Sequence, residues 1–147
     1  MRRKVLLGLL VMAGLLGVGS RLLAHHSAAG LFSRDEEVIL SGTVTAWRFV
    51  NPHPALVFDV KTDAGAVESW TATFNSPAAL RKIGWSRSTF KAGDPVTVLG
   101  NPFFGGQKTM FPLVVTTPDG KKYVTREPRV RKDFAEGAIR PEGGAEQ

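Results

Sequence analysis

Three histidines are the residues of this chain best suited to bind a metal ion. His25 and His26 are adjacent near the N-terminus, and His53 lies in the turn-forming sequence Asn51-Pro52-His53-Pro54. Imidazole nitrogens are common ligands of copper and zinc, and copper(II) binds most tightly among the divalent first-row ions. We therefore predict a copper-type site formed by His25, His26 and His53. We expect Asn51 to orient the turn that carries His53.

The first 24 residues have the pattern of a signal peptide. Basic residues at positions 2–4 precede an apolar run from Val5 to Val18, which is shorter than the roughly 20 apolar residues of a membrane span. Cleavage after Ala24 would give His25 a free α-amine, which could bind the metal together with its imidazole. A competing cleavage site after Gly19 would leave five residues ahead of the histidines. We expect a periplasmic or secreted protein without a stable membrane anchor after cleavage.

The composition of the remaining chain narrows the class of partner. Residues 1–24 hold four of the 19 basic residues and none of the 13 acidic ones, so the rest is close to neutral, with 15 basic and 13 acidic residues. A nearly neutral domain lacks the charge that drives binding to phosphate backbones, so no nucleic acid is expected. The chain has no cysteine, so neither a disulfide framework nor a lipoprotein anchor can form.

The order of predicted elements is three strands, a helix and two strands. Apolar residues alternate over 37–50, 55–62 and 66–74, and Gly42 is predicted to allow a bulge or bend in the long first strand. Ser76-Pro77 is typical of a helix N-terminus and Gly84 of its end. Two further strands are predicted over 95–100 and 109–117.

This order predicts an all-β domain with one short helix, an OB-like five-stranded barrel over residues 37–123. An open sheet or a sandwich crossed by one helix is the alternative. Residues 25–36 are expected to form an N-terminal arm and residues 124–147 a charged, loosely ordered tail.

The predicted fold indicates where a ligand would bind. OB-folds bind on the face of strands two and three, between the loop after strand one and the loop joining strands four and five. The first of these loops carries His53, and the second carries Phe103 and Phe104. Phe103, Phe104 and Trp70 are therefore candidates for a ligand surface. The competing interpretation is that these aromatic side chains belong to the core or close its end.

Several motifs together resemble the DUF6152 family of exported bacterial proteins. They comprise His25-His26-Ser27, Gly42-Thr43-Val44, the segment from Trp47 to His53, Trp70, Ser76-Pro77, Gly84-Trp85, the segment from Lys91 to Val98, and Thr117-Pro118-Asp119-Gly120. The resemblance runs from His25 to about Tyr123. It implies a periplasmic or secreted small β protein and carries no activity with it.

We therefore expect a non-enzymatic binding or accessory protein whose partner is a metal ion, a polymer or another envelope protein. Copper bound by the three histidines is the leading hypothesis. An enzyme alternative is a copper-dependent oxidase or oxygenase that uses the α-amine of His25. A third hypothesis is a metal-free OB module that binds a polymer or protein. Against the metal site, His25 and His26 could be solvated, and His53 could merely cap a carbonyl group.

Overall fold

Residues 30–141 are described by a computed structural model, and they form a closed barrel. Its strands are β1 (Val38–Arg48), β2 (Ala55–Lys61), β3 (Val67–Thr73), β4 (Pro95–Pro102) and β5 (Thr109–Thr116). Neighbouring strands are antiparallel in the order β3-β2-β1-β4-β5, and a short parallel pairing of β3 with β5 closes the barrel. The predicted all-β class and the OB-like five-strand barrel are therefore confirmed.

Alternating apolar side chains build the barrel because successive residues of a strand point to opposite faces. In β2, Leu56, Phe58 and Val60 point inward and are buried. Their partners on β1 and β3 include Val44 and Ala72, which are also buried. The interior is therefore a packed apolar core.

The bulge of β1 lies at Thr45, between Val44 and Ala46, and not at Gly42 as predicted. Gly42 has a different role, because a Cβ atom there would overlap the main-chain carbonyl of Asp59 on β2. The glycine permits close approach of two strands.

A short helix, α1 (Pro77–Arg81), packs on the barrel core. The hydroxyl of Ser76 accepts a hydrogen bond from the main-chain N–H of Ala79 at 3.2 Å, and Pro77 occupies the first turn, as predicted. The positive φ of Gly84, 83°, reverses the chain after the helix. Leu80 and Ile83 then point into the interior cluster beside Trp85.

A second apolar cluster lies on the outer face of β4 and β5. Its barrel side consists of Leu99, Phe111, Leu113 and Val114, with Phe32 of the arm packed against it. The C-terminal part of the chain covers this cluster from outside with Val124, Ala135 and Ala138.

The C-terminal part of the chain differs from the loosely ordered tail that was expected over 124–147. Strand β6 (Lys122–Val124) pairs with β5, and a 3-10 helix (Lys132–Ala135) follows it. The sequence of this segment is rich in charged residues, glycine and proline. Its few small apolar side chains are nevertheless buried against the barrel. Residues 142–147 lie outside the described part. Within residues 30–141, no helix has the length and apolar character needed to cross a membrane.

Candidate metal-binding histidine and its surroundings

His53 lies in the turn between β1 and β2, and its side chain is exposed. The turn contains a cis peptide bond between Asn51 and Pro52, and Pro54 is buried beneath it. The main-chain N–H of Phe74 donates to the carbonyl oxygen of Pro54 at 2.9 Å. This hydrogen bond connects the turn to the end of β3 and so fixes the main chain next to His53.

Main-chain carbonyl groups hold the His53 ring. Its Nδ1 lies 2.6 Å from the carbonyl oxygen of Asn75 and 3.1 Å from that of Phe74. A carbonyl oxygen only accepts hydrogen bonds, so these partners assign the ring proton to Nδ1. In the neutral ring, Nε2 then carries a lone pair that is free to bind a metal ion or accept a proton.

This arrangement has two interpretations. A metal-ligating histidine usually donates its other ring N–H to a carboxylate or a main-chain carbonyl, which fixes the ring and its tautomer. The same contacts also satisfy the capping role that the sequence left open for a histidine in a proline-rich turn. The exposure of the ring distinguishes His53 from a buried structural histidine, because its second nitrogen remains accessible.

Asn51 does not hold the ring. It is exposed, and within residues 30–141 its side chain makes no hydrogen bond to His53. The ring is instead oriented by the carbonyl groups at the end of β3, which the sequence could not indicate because every residue has such a group.

A complete metal site does not form within residues 30–141, where no three His, Cys, Asp or Glu side chains are grouped closely enough to hold an ion. The predicted ligands His25 and His26 lie outside the described residues. His53 would have to receive its further ligands from that part of the chain or from a partner.

The described part of the N-terminal arm packs against Phe111, which shares a cavity with Asn75, one of the acceptors of His53. Asn75 and Phe111 line one small cavity of about 30 Å³, and the ring of Phe111 lies 6.0 Å from that of Phe32. His26 precedes Phe32 by six residues, which span at most about 20 Å when extended. His25 and His26 are thus linked to Phe32 by a short stretch of chain.

The predicted aromatic ligand surface is divided between packed and exposed side chains. Phe103 is half-buried, and its ring meets that of Phe32 edge-on at 5.7 Å. Phe104 is 68% exposed, and its main-chain N–H donates to the carbonyl oxygen of Leu31, itself 50% exposed. Both residues thus expose apolar side chains near the loop between β4 and β5.

Trp70 is half-buried and points toward the barrel interior, opposite Phe58. Its Nε1 donates to Glu68 at 3.1 Å, and the ammonium group of Lys108 lies 5.4 Å from the ring centroid. Lys108 also forms an ion pair with Glu68 at 2.9 Å. The indole is therefore engaged by its own neighbours.

The outer face of β2 and β3, where an OB-fold ligand would lie, carries small and β-branched side chains. Val57, Asp59, Ser69, Thr71 and Thr73 alternate with the buried residues of these strands. No aromatic side chain points outward from β2 or β3 in the described structure. Aromatic stacking is the usual means by which such a face holds a polymer, and this face does not provide it.

Two carboxyl groups have shifted pKa values, and ion pairs explain both shifts. A hydrogen bond from Lys121, together with one from Thr117, lowers the pKa of Asp119 to about 2. A hydrogen bond from Lys108, and a second from Trp70, lowers the pKa of Glu68. A general acid at neutral pH needs a raised pKa, so neither shift marks a proton donor for catalysis.

The structure also contains an open polar cleft of about 300 Å³, which the sequence did not indicate. It lies between the loop before β4 and the turn after β5, and Asp94, Asp119 and Tyr123 are among the residues that line it. Asp94 is more than twenty residues from Asp119 and Tyr123 in the sequence, and the barrel topology brings the two segments together.

Comparison with known proteins gives one family and no curated relative. Residues 13–111 match DUF6152, described as a family of unknown function, and no curated protein matches the chain. The match covers about two thirds of the chain and includes His25, His26 and His53. This chain belongs to the DUF6152 family.

Proposed function

We propose that this protein is an exported binding or accessory protein that binds a copper-type metal ion through His53 together with His25 and His26. One observation supports the proposal above the others. The His53 ring is exposed and fixed by hydrogen bonds from Nδ1 to two main-chain carbonyl groups, and Nε2 has no hydrogen-bond partner among residues 30–141. This is the environment expected of a metal-ligating histidine.

The ligand chemistry favours copper(II) or zinc over harder cations. All three proposed ligands are imidazoles, which suit late first-row ions, and copper(II) has the highest affinity in that series. The chain has no cysteine to provide a thiolate. Nitrogen ligands from a short arm and a fixed turn would close around the ion as the arm docks.

Titration of copper(II) into the mature protein tests the proposal. We expect one tight equivalent, and we expect His53→Ala to weaken its binding at least tenfold, because a fixed ligand is lost. Asn75→Ala is the matched control, because it removes an exposed side chain and keeps the carbonyl group that accepts from Nδ1. Unchanged stoichiometry and affinity in His53→Ala would remove His53 from the site.

The mature N-terminus decides the coordination chemistry. Cleavage after Ala24 would add the α-amine of His25 as a fourth nitrogen ligand, on which the oxidase or oxygenase version depends. Cleavage after Gly19 would leave imidazoles alone. The mass of protein recovered from the periplasm or the medium distinguishes these outcomes, and an uncleaved chain in the cytoplasm would contradict export.

A second candidate function is a metal-free module that binds another envelope protein. It is favoured by the exposed apolar side chains of Leu31 and Phe104, two residues joined by a main-chain hydrogen bond, because exposed apolar side chains are typical of protein interfaces. If the mature protein binds no copper(II), this candidate replaces the first.

A further inference from the structure

Glu37 connects the start of β1 to a distant part of the chain. Its carboxylate accepts hydrogen bonds from three consecutive main-chain N–H groups, those of Arg129 (2.7 Å), Val130 (3.1 Å) and Arg131 (2.8 Å). Three successive N–H groups that converge on one anion form a nest, and hydrogen bonds to a charged acceptor are stronger than neutral ones. One side chain thus holds a segment more than ninety residues away in the sequence.

We name residues 126–141 the strap, since they run over the outer face of β4 and β5. The buried side chains of the strap are small, namely Pro128, Ala135 and Ala138, and Phe134 packs at the margin of the outer cluster. The barrel contributes the large ones, Leu99, Leu113 and Val114. Because apolar stabilisation scales with buried area, polar contacts must account for much of the strap's attachment.

The strap also has contacts within itself. The guanidinium group of Arg140 donates to Glu127 at 2.9 Å and approaches the carbonyl oxygens of Ala135 and Ala138. The 3-10 helix adds a main-chain bond from Phe134 to Arg131. Both partners of each of these contacts lie within the strap.

Besides Glu37, a small set of mostly polar contacts joins the strap to β5 and β6. Arg126 donates its main-chain N–H to Leu113, and its guanidinium group lies 5.4 Å from the ring centroid of Phe111. The ammonium group of Lys122 donates to the carbonyl oxygen of Phe134 at 3.1 Å and lies over its ring, and Ile139 exchanges two main-chain hydrogen bonds with β6. The family match ends at residue 111, so the strap lies wholly beyond the part of the chain that defines the family. The closed barrel requires only β1 to β5.

We propose that the strap detaches from the barrel as a unit while the barrel stays folded, with the Glu37 carboxylate as its latch. Detachment uncovers the apolar outer face of β4 and β5, including Leu99, Leu113 and Val114. The strap thus exposes or covers an apolar surface, and the Glu37 side chain controls the equilibrium between the attached and detached states.

Hydrogen exchange of the full mature protein, with Glu37→Ala as the variant, tests this proposal. We expect the amides of Arg129, Val130, Arg131 and Ile139 to exchange at least tenfold faster than in the wild type. The amides of β2 and β4 should keep their wild-type rates. Trypsin should also cleave after Arg129 and Arg131 sooner than in the wild type.

Glu36→Ala is the matched control, because this neighbouring side chain is exposed and makes no hydrogen bond in the described structure. It should leave strap exchange unchanged. If the strap amides of Glu37→Ala exchange at wild-type rates, the Glu37 carboxylate does not hold the strap on the barrel. Equal acceleration of the strap and of β2 and β4 would show that they unfold together, and either result overturns the proposal.

Discussion

The chemistry of His53 depends on two main-chain oxygens that no side-chain motif specifies. The carbonyl groups of Phe74 and Asn75 fix the ring through Nδ1 and leave Nε2 toward solvent. Residue types alone identified the histidine as a candidate, because imidazole is a ligand. The tautomer and the orientation follow from the antiparallel pairing that brings the end of β3 beside the turn.

At the same scale, Lys121 should control the acidity of Asp119. Replacing Lys121 with Met removes the ammonium group 2.8 Å from the carboxylate, so the pKa of Asp119 should rise from about 2 toward 3.8. Titration of the carboxyl carbon by NMR measures this change. Lys91→Met is the control, because Lys91 lines the same cleft without touching Asp119, and an equal rise there would contradict a specific ion pair.

The sign of the linked stability effect follows from the lowered pKa. Asp119 stabilises the fold above its unfolded pKa of about 3.9, and this contribution is lost as the pH falls toward about 2. The carboxylate is exposed, so the effect should be small. In Lys121→Met, unfolding below pH 4 should depend less on pH than it does in the wild type.

At the scale of elements, the strands and the helix were predictable, while their irregularities were not. Alternating side chains placed β1 to β5, and the Ser76-Pro77 cap placed α1. The bulge at Thr45 leaves no local signal, because its position depends on the register with β2. Gly42 was predicted to allow a bulge or bend; the bulge lies elsewhere, and glycine is required at this position by the close approach of Asp59.

Gly42→Ala should therefore be costly although alanine suits the backbone. The added Cβ would overlap the carbonyl oxygen of Asp59, and β1 and β2 would have to separate. We expect a loss of about 1–3 kcal/mol in the free energy of unfolding, typical of overpacking, measured by chemical denaturation. Gly30→Ala is the control, with no atom within 4 Å of its Cβ. Equal stability of the two variants would contradict the close-approach role.

At the scale of the whole molecule, the barrel topology was predictable and the outer cluster was not. Three strands, a helix and two strands close in few ways, and the observed order is that of an OB-like barrel. The strap was missed because charge, glycine and proline dominate residues 124–147, while Ala135 and Ala138 give a weak apolar signal. Only the barrel surface beneath them explains why they are buried.

The metal site also depends on the whole molecule, because its ligands come from an arm and a turn that the fold must bring together. The sequence could identify the three histidines but could not relate His25 and His26 to His53. In the described residues Phe32 lies beside Phe111, which shares a small cavity with Asn75, whereas His25 and His26 lie outside them.

The most direct test of the proposed site is a nitrogen-15 NMR spectrum of the histidine side chains in the mature protein, recorded before and after one equivalent of zinc(II). We predict that the neutral His53 ring carries its proton on Nδ1 and that zinc shifts Nε2 of His53 together with a nitrogen of His25 or His26. A proton on Nε2, or a His53 signal that does not respond to zinc, would contradict the proposal.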